Sequence, residues 1–478
     1  MPDSGWPSWF PPFRNVGRRR GPLRMDLPIK KQLEAWDDAH LWHPFTPHSV
    51  YREEDPLLVV AGEGHYLIDA EGKRYLDGVG SLWCNLFGHR RPEIDAAVKS
   101  QLDRIAHSTL LGHASAPAVQ LAKRLADLAP AGLTRVFFSD DGSTAVEVAL
   151  KMALQFWQQT DGGRQSQRRS FVTLGLAYHG DTVGSVSLGG IDLFHERYRS
   201  LLFQTVRAPS PYCYRCPLQL ERATCGLACI EELERVVLAE GDRCAAVVIE
   251  SGMQGAAGMV VQPEGFLRRA RAVADRVGAL LVLDEVATGF GRSGRMFACQ
   301  TEGIAPDLLC LGKGLTGGYL PMAATLTTER IFEAFKGPPS EGRTFFHGHT
   351  YTGNALASAA ALATLDIFEQ DHVLERLPHR IERLGLELKR LRDLSAVGEV
   401  RQFGLAAGVE LVADRKTRMP YPAAERLGMR VCRAARTRGV FLRPLGDVIV
   451  LMPPLSITEP EITQLVDAIE SGIREICP

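Results

Sequence analysis

No apolar run among the 478 residues reaches the roughly 18 to 20 that a membrane-spanning helix requires. An excess of one charge sign is missing too. The 55 lysines and arginines stand against 56 aspartates and glutamates, a formal net charge of −1, so neither nucleic acid nor an anionic membrane is an expected partner. Cysteine is sparse: ten residues do not make a disulfide scaffold in a chain of this length, and a reduced, cytoplasmic protein is the default. Internal repeats are absent. What remains is an ordinary globular balance, 45% hydrophobic and 23% charged, in a chain long enough for a large core and two domains.

The first two dozen residues differ from the rest. Trp6, Pro7, Trp9, Pro11, Pro12 and Arg18-Arg19-Arg20 carry no helical or alternating period, and Gly21 and Pro22 stand where a signal peptide would need an apolar stretch. Residues 1–24 read as a disordered or non-native extension. Residues 25–91 read as the N-terminal part of a small domain, with glycine-turned hairpin strands around 55–78. Between 92 and 353, helices alternate with short continuous apolar runs such as Ala245–Ile249 and Leu280–Leu283. Runs of that kind are strands buried on both faces of a mostly parallel sheet. Residues 354–478 read as a linking helix and a C-terminal α+β unit. The fold class expected is α/β, a large domain flanked by a smaller α+β domain drawn from both chain ends.

In open parallel sheets, ligands collect at the carboxyl ends of the strands. Asp284 closes one apolar run, where a carboxylate needs a partner such as a protonated ring nitrogen or the amides of the following segment. Lys313 follows Leu308–Gly312 among glycines, where desolvation would lower its pKa as a Schiff-base lysine requires. Gly142 and Ser143 open a strong helix pattern, a site suited to phosphate, with Thr144 and Glu147 spaced as a capping box. Tyr178, in Tyr178-His179-Gly180, could stack on a flat ring. Each residue alone has a bland alternative: a capping carboxylate, a solvated lysine, an ordinary capped helix, a core tyrosine.

Together they resemble one family. The run from Asp284 to Gly294 (DEVATGFGRSG), then Ala305-Pro306-Asp307, then Gly312-Lys313-Gly314-Leu315, is similar to the signature of class III pyridoxal-phosphate aminotransferases. Glu250 followed by Gln254-Gly255 and Gly258 resembles that family's strand-end glutamate loop. The resemblance runs from about His40 to the C-terminus. It implies the fold-type I architecture of pyridoxal-phosphate-dependent transferases. It also implies that Lys313 carries the pyridoxal 5'-phosphate and acts as general base, and that Asp284 holds its ring nitrogen. Gly142 and Ser143 would bind its phosphate, and Tyr178 would stack on its ring. Thr350 would reach the phosphate of a neighbouring subunit's cofactor, implying a homodimer with shared active sites.

Within the family, a biotin-pathway branch fits best. There the resemblance implies amino transfer to 8-amino-7-oxononanoate, usually from S-adenosylmethionine. His40-Leu41-Trp42-His43-Pro44-Phe45-Thr46, Ser81-Leu82-Trp83, and the tail Gly439–Gly446 with Leu451-Met452-Pro453-Pro454 carry that likeness. It implies substrate contacts from Trp83, Tyr178, Gly348 and Arg443, with Arg443 clamping a carboxylate and Leu82, Trp83 and Phe45 lining an apolar sleeve. Leucine at 82, phenylalanine at 45 and valine at 450 depart from the branch's pattern of aromatic residues, which keeps lysine open as an alternative donor. An ω-amino-acid transaminase or a semialdehyde aminomutase is a rival within the family; a catalytically idle binding protein of the same fold is a rival outside it.

Cys213, Cys216, Cys225 and Cys229 form a C-x2-C-x8-C-x3-C pattern, a spacing that suits a structural zinc or an iron–sulfur site. Thiols simply packed in a reduced loop are the alternative. The metal would be structural, not catalytic.

Overall fold

The structure, a computed structural model, describes residues 25–477; the N-terminal extension lies outside them. Two units separate. One runs up to Gly62 and takes in Leu67–Arg74; the other comprises Glu63–Tyr66 and everything from Tyr75. The first carries the helix Leu27–His40, opened by Pro28 in its first turn, where a missing N–H costs nothing. Within this unit Asp37 collects the Tyr51 hydroxyl at 2.9 Å, the Arg52 guanidinium at 2.8 Å and the His43 ring at 2.8 Å. Trp42 and Phe45 are exposed.

The second unit is built on seven strands: β1 (Leu133–Ser139), β2 (Ser170–Leu174), β3 (Val206–Ala208), β4 (Cys244–Glu250), β5 (Leu280–Asp284), β6 (Leu308–Leu311) and β7 (Ala323–Thr328). Their order across the sheet is β1-β7-β6-β5-β4-β2-β3. Six strands run one way. β7 alone is antiparallel to both neighbours, β6 and β1. All residues of β4, β5 and β6 are buried, as continuous apolar runs between two helical layers must be. The helix Gly142–Gln159 covers one face with Ala145, Val148, Ala149, Met152, Ala153 and Phe156 inward. A four-stranded antiparallel sheet, Val397–Phe403, Ala406–Leu411, Val448–Leu451 and Pro444–Leu445, forms the C-terminal part.

Much of the DEVATGFGRSG run serves this scaffold. The Glu285 carboxylate accepts the amides of Ala298 (2.6 Å) and Cys299 (2.7 Å). Arg292, 1% exposed, donates to the carbonyls of Leu405 (3.1 Å) and Pro453 (2.6 Å), and burial pushes its guanidinium down to about 9. Asp307 takes the Leu281 amide at 2.8 Å and Arg271 at 2.7 Å, fixing the start of β5. No helix among the described residues is long and apolar enough to cross a membrane.

Candidate active site

Parallel register brings the ends of β4 and β5 level, so that Glu250 and Asp284 are direct neighbours at the sheet's carboxyl edge. A cavity of about 440 Å³ opens there, a volume suited to a small molecule. Gly142, Ser143, Tyr178, Asp284, Lys313 and Trp83 all line it, so the structure gathers most of the sequence-predicted residues in one place.

Two carboxyl groups side by side in a buried site need polar partners, and His179 is one. Its Nδ1 lies 2.7 Å from Asp284 Oδ2 in a fully buried contact. Burial opposes its protonation, but the bond to Asp284 and the charges of Asp284 and Glu250 prevail and raise its pKa. The other Asp284 oxygen accepts the Val286 amide at 2.9 Å, so this carboxylate both caps the next segment and faces the cavity. Glu250 is pushed up to about 7, first by burial and then by Asp284, although it accepts amides from Tyr178 (3.1 Å) and Gly255 (2.9 Å).

Lys313 stands just beyond β6 with φ +40°, a region non-glycine residues seldom occupy. Its Nζ lies 5.3 Å from the centroid of the Trp83 ring. Enclosure pulls its ammonium pKa down, against the pull of Asp284 and Glu250. The Tyr178 hydroxyl donates to Asp181 at 2.8 Å; burial and that bond raise its pKa.

The helix at Gly142 is capped by Asp141, which accepts the Thr144 amide at 2.9 Å while the Thr144 hydroxyl answers the Asp141 amide at 3.1 Å. The expected Thr144–Glu147 box is therefore displaced by three residues. Glu147 instead accepts the Gly184 amide at 2.6 Å. Capping takes one of the orphan amides at the helix start, while Gly142 and Ser143, the first two helical residues, line the cavity. A Cβ on Gly142 would come within 2.5 Å of Val286 Cγ1, so only glycine lets the strand ends close around this point.

Trp83 arrives on unusual backbone. Gly80, Ser81, Leu82 and Trp83 have φ of +53°, +47°, +66° and +74°, one left-handed helical turn. Each non-glycine residue in that region costs about 1–2 kcal/mol. Nothing in the sequence signals this turn, nor the role of His179, whereas Glu250 is legible as a strand-end carboxylate; glycine at 80 alone is the kind of residue that favours the turn.

Some expectations are not brought to this cavity. Thr350 and Gly348 are exposed and Arg443 is half-buried; none lines it. Val450 is buried in the small sheet opposite Gly408. The metal expectation is corrected. Cys213, Cys216, Cys225 and Cys229 do border one small pocket, yet among the described residues no three His, Cys, Asp or Glu side chains are grouped to hold a metal ion. Burial raises the Cys213 thiol and pushes Cys229 up to about 11, which favours protonated thiols. The segment is fastened by protein contacts: Tyr212 and Arg215 both donate to Glu410, and Arg215 also reaches the Arg418 carbonyl at 2.8 Å.

Comparison with known proteins agrees with the geometry. The pattern of the family "Aminotransferase class-III" matches residues 49–473. The adenosylmethionine-8-amino-7-oxononanoate aminotransferase of Nitratidesulfovibrio vulgaris is 57% identical over 442 residues, 92% of this chain and 81% of that protein. The enzyme of the same name from Geobacter sulfurreducens is 55% identical over 445 residues, covering 93% and 98%. Among solved structures, the adenosylmethionine-8-amino-7-oxononanoate aminotransferase of Methanocaldococcus jannaschii superposes with a TM-score of 0.89 at 45% identity, covering 94% of this chain and 100% of that one. A PLP-bound amine transaminase from an uncultivated Pseudomonas species gives 0.86 at 37% identity, covering 91% and 99%.

Proposed function

The chain belongs to the class III aminotransferases, pyridoxal-phosphate-dependent enzymes of fold-type I, and from that premise we propose the reaction and the residues that carry it. The substrate pair is S-adenosylmethionine as amino donor and 8-amino-7-oxononanoate as acceptor, giving 7,8-diaminononanoate in biotin biosynthesis. The observation that carries this reading is the likeness to enzymes of that name over more than nine-tenths of the chain, joined to a cavity holding Lys313 and Asp284.

The residues present fit pyridoxal phosphate. A helix start at the cavity, narrowed by a glycine whose Cβ would press on Val286, suits a phosphate. A buried carboxylate with an imidazole behind it suits a protonated ring nitrogen. When bound, the cofactor supplies the electron sink that lets an amino group leave its carbon. Lys313 would hold it and then move the proton at the substrate carbon, a task served by a lowered ammonium pKa. Asp284 would keep the ring nitrogen protonated, with His179 holding the carboxylate in place. Gly142 and Ser143 would bind phosphate, and Tyr178 would lie against the ring.

Trp83 and Leu82 would flank the acceptor's alkyl chain. Arg443 would clamp its carboxylate; Phe441, two residues earlier, pairs with Asp77 beside the Trp83 turn. Thr350 and Gly348, exposed and outside their own cavity, suit a contribution to the site of a second copy in a homodimer. The test is product formation: purified enzyme given both substrates forms 7,8-diaminononanoate. Formation with lysine but not S-adenosylmethionine would replace the donor; formation with neither would overturn the assignment.

A further inference from the structure

Of the four consecutive residues with positive φ, Gly80 and Trp83 are buried while Ser81 and Leu82 are exposed. Leu82 is 51% exposed, and Trp83, at 8%, is the one large apolar side chain the turn buries. The backbone conformation therefore serves to place Trp83, and something else must hold it. The contacts inside the turn, from the Trp83 amide to the Val79 carbonyl (2.7 Å) and from the Cys84 and Asn85 amides to the Gly80 carbonyl (3.0 and 2.9 Å), come with the conformation and do not explain it.

The external fastening is a buried polar group. Asp77, fully buried, accepts the Ser81 amide at 3.0 Å on one oxygen and the Ser81 hydroxyl at 2.7 Å on the other. The His89 ring lies 3.1 Å away from that second oxygen through Nε2. The Asn85 side-chain nitrogen lies 3.2 Å from His89 Nδ1 and 3.5 Å from Nε2. The ring thus lies between the Asp77 carboxylate and the Asn85 side chain. Asp77 itself is anchored by strand pairing with Phe441, and Asn85 by the Gly88 amide at 2.7 Å. At the far end the indole lies against Gly255, where a Cβ would come within 3.2 Å, and over Lys313 Nζ.

We propose that Asp77 and His89 are positioning residues for acceptor selection: they fasten the left-handed turn Gly80–Trp83, and so fix the Trp83 indole as the wall against which a long aliphatic acceptor is held over Lys313. The proposal rests on the transaminase reading above and names residues that touch neither substrate nor cofactor. Loosening the fastening lets the indole move, which weakens contacts along an alkyl chain but leaves Lys313 and Asp284 in place. Short acceptors, which need no such wall, lose little.

The test is steady-state kinetics of the holoenzyme with a long and a short keto-acid acceptor. Asp77→Ala raises KM for 8-amino-7-oxononanoate about tenfold, keeps kcat within about threefold, and changes the short acceptor's kcat/KM less than about threefold. The visible band of the lysine-bound cofactor stays unchanged. Asp77→Asn, which keeps an oxygen for the Ser81 amide, restores part of the loss. In a Trp83→Leu background, Asp77→Ala adds nothing further, since the coupling runs through the indole. Equal losses for both acceptors, or losses that add in the double variant, would overturn the proposal. Should Asp77→Ala fail to fold, Ser81→Ala and His89→Gln make the same cut more gently, with the same expected split. An enzyme that ignores 8-amino-7-oxononanoate fails the substrate reading instead; the contrast between long and short acceptors then still decides this one.

Discussion

The floor of the cavity and its Trp83 wall are built in opposite ways. Asp284 and Glu250 stand in register at the ends of buried strands, and Lys313 stands two residues beyond the end of a third. Trp83 stands on a strained turn outside the seven-stranded sheet, held through Ser81 by one buried carboxylate that a histidine backs. A rigid floor suits chemistry that tolerates no displacement. A wall held by a few side-chain contacts can be retuned by changing those contacts without disturbing the floor, so reaction and substrate choice have separate structural supports.

That contrast can be broken or sharpened experimentally. The largest effect belongs to the floor. Lys313→Ala lowers turnover by at least about a thousandfold in single-turnover assays, the upper range for loss of a general base that also carries the cofactor. Next comes the buried charge beside it. Glu250, at 4.5 when unperturbed, is raised to about 7 in the folded chain. Between those values the folded protein holds a proton that the unfolded chain has lost, so stability falls as pH rises through the window. Glu250→Gln removes that fall, worth roughly 2–3 kcal/mol at 1.36 kcal/mol per unit, as urea unfolding at pH 5 and pH 8 would measure.

Gly142→Ala forces Val286 aside and costs about 2 kcal/mol by urea unfolding, with weaker cofactor binding by absorbance titration. The smallest effect has the opposite sign and belongs to the wall. Leu82→Gly suits φ +66° and stabilises by up to about 1 kcal/mol in thermal unfolding, less the entropy glycine brings. Destabilisation there would mean that the turn is not strained.

The same contrast explains what could be read from the sequence. Strands β4 and β5 announce themselves as continuous apolar runs ending in a carboxylate, and Lys313 follows another; their neighbourhood follows from parallel topology. The antiparallel strand β7, Ala323–Thr328, carries no comparable signal because alanine and threonine are common in many settings. His179 adjoins Tyr178 in sequence, but its bond to Asp284 spans 105 residues and follows only from packing. Ser81 and Leu82 give no hint of a left-handed turn, since the cause lies in Asp77 and His89 and in the chain around them. The cysteine spacing pointed to a metal; the Tyr212 and Arg215 bonds to Glu410 that fasten the same segment depend on a residue about 200 positions later.

The decisive observation is the visible spectrum of the purified holoenzyme during stepwise addition of its two substrates. Bleaching of the cofactor band by S-adenosylmethionine and its return on adding 8-amino-7-oxononanoate, with neither change in Lys313→Ala, is the predicted result. A band that neither substrate alters, or that Lys313→Ala alters equally, would contradict the assignment of this cavity as the site of amino transfer.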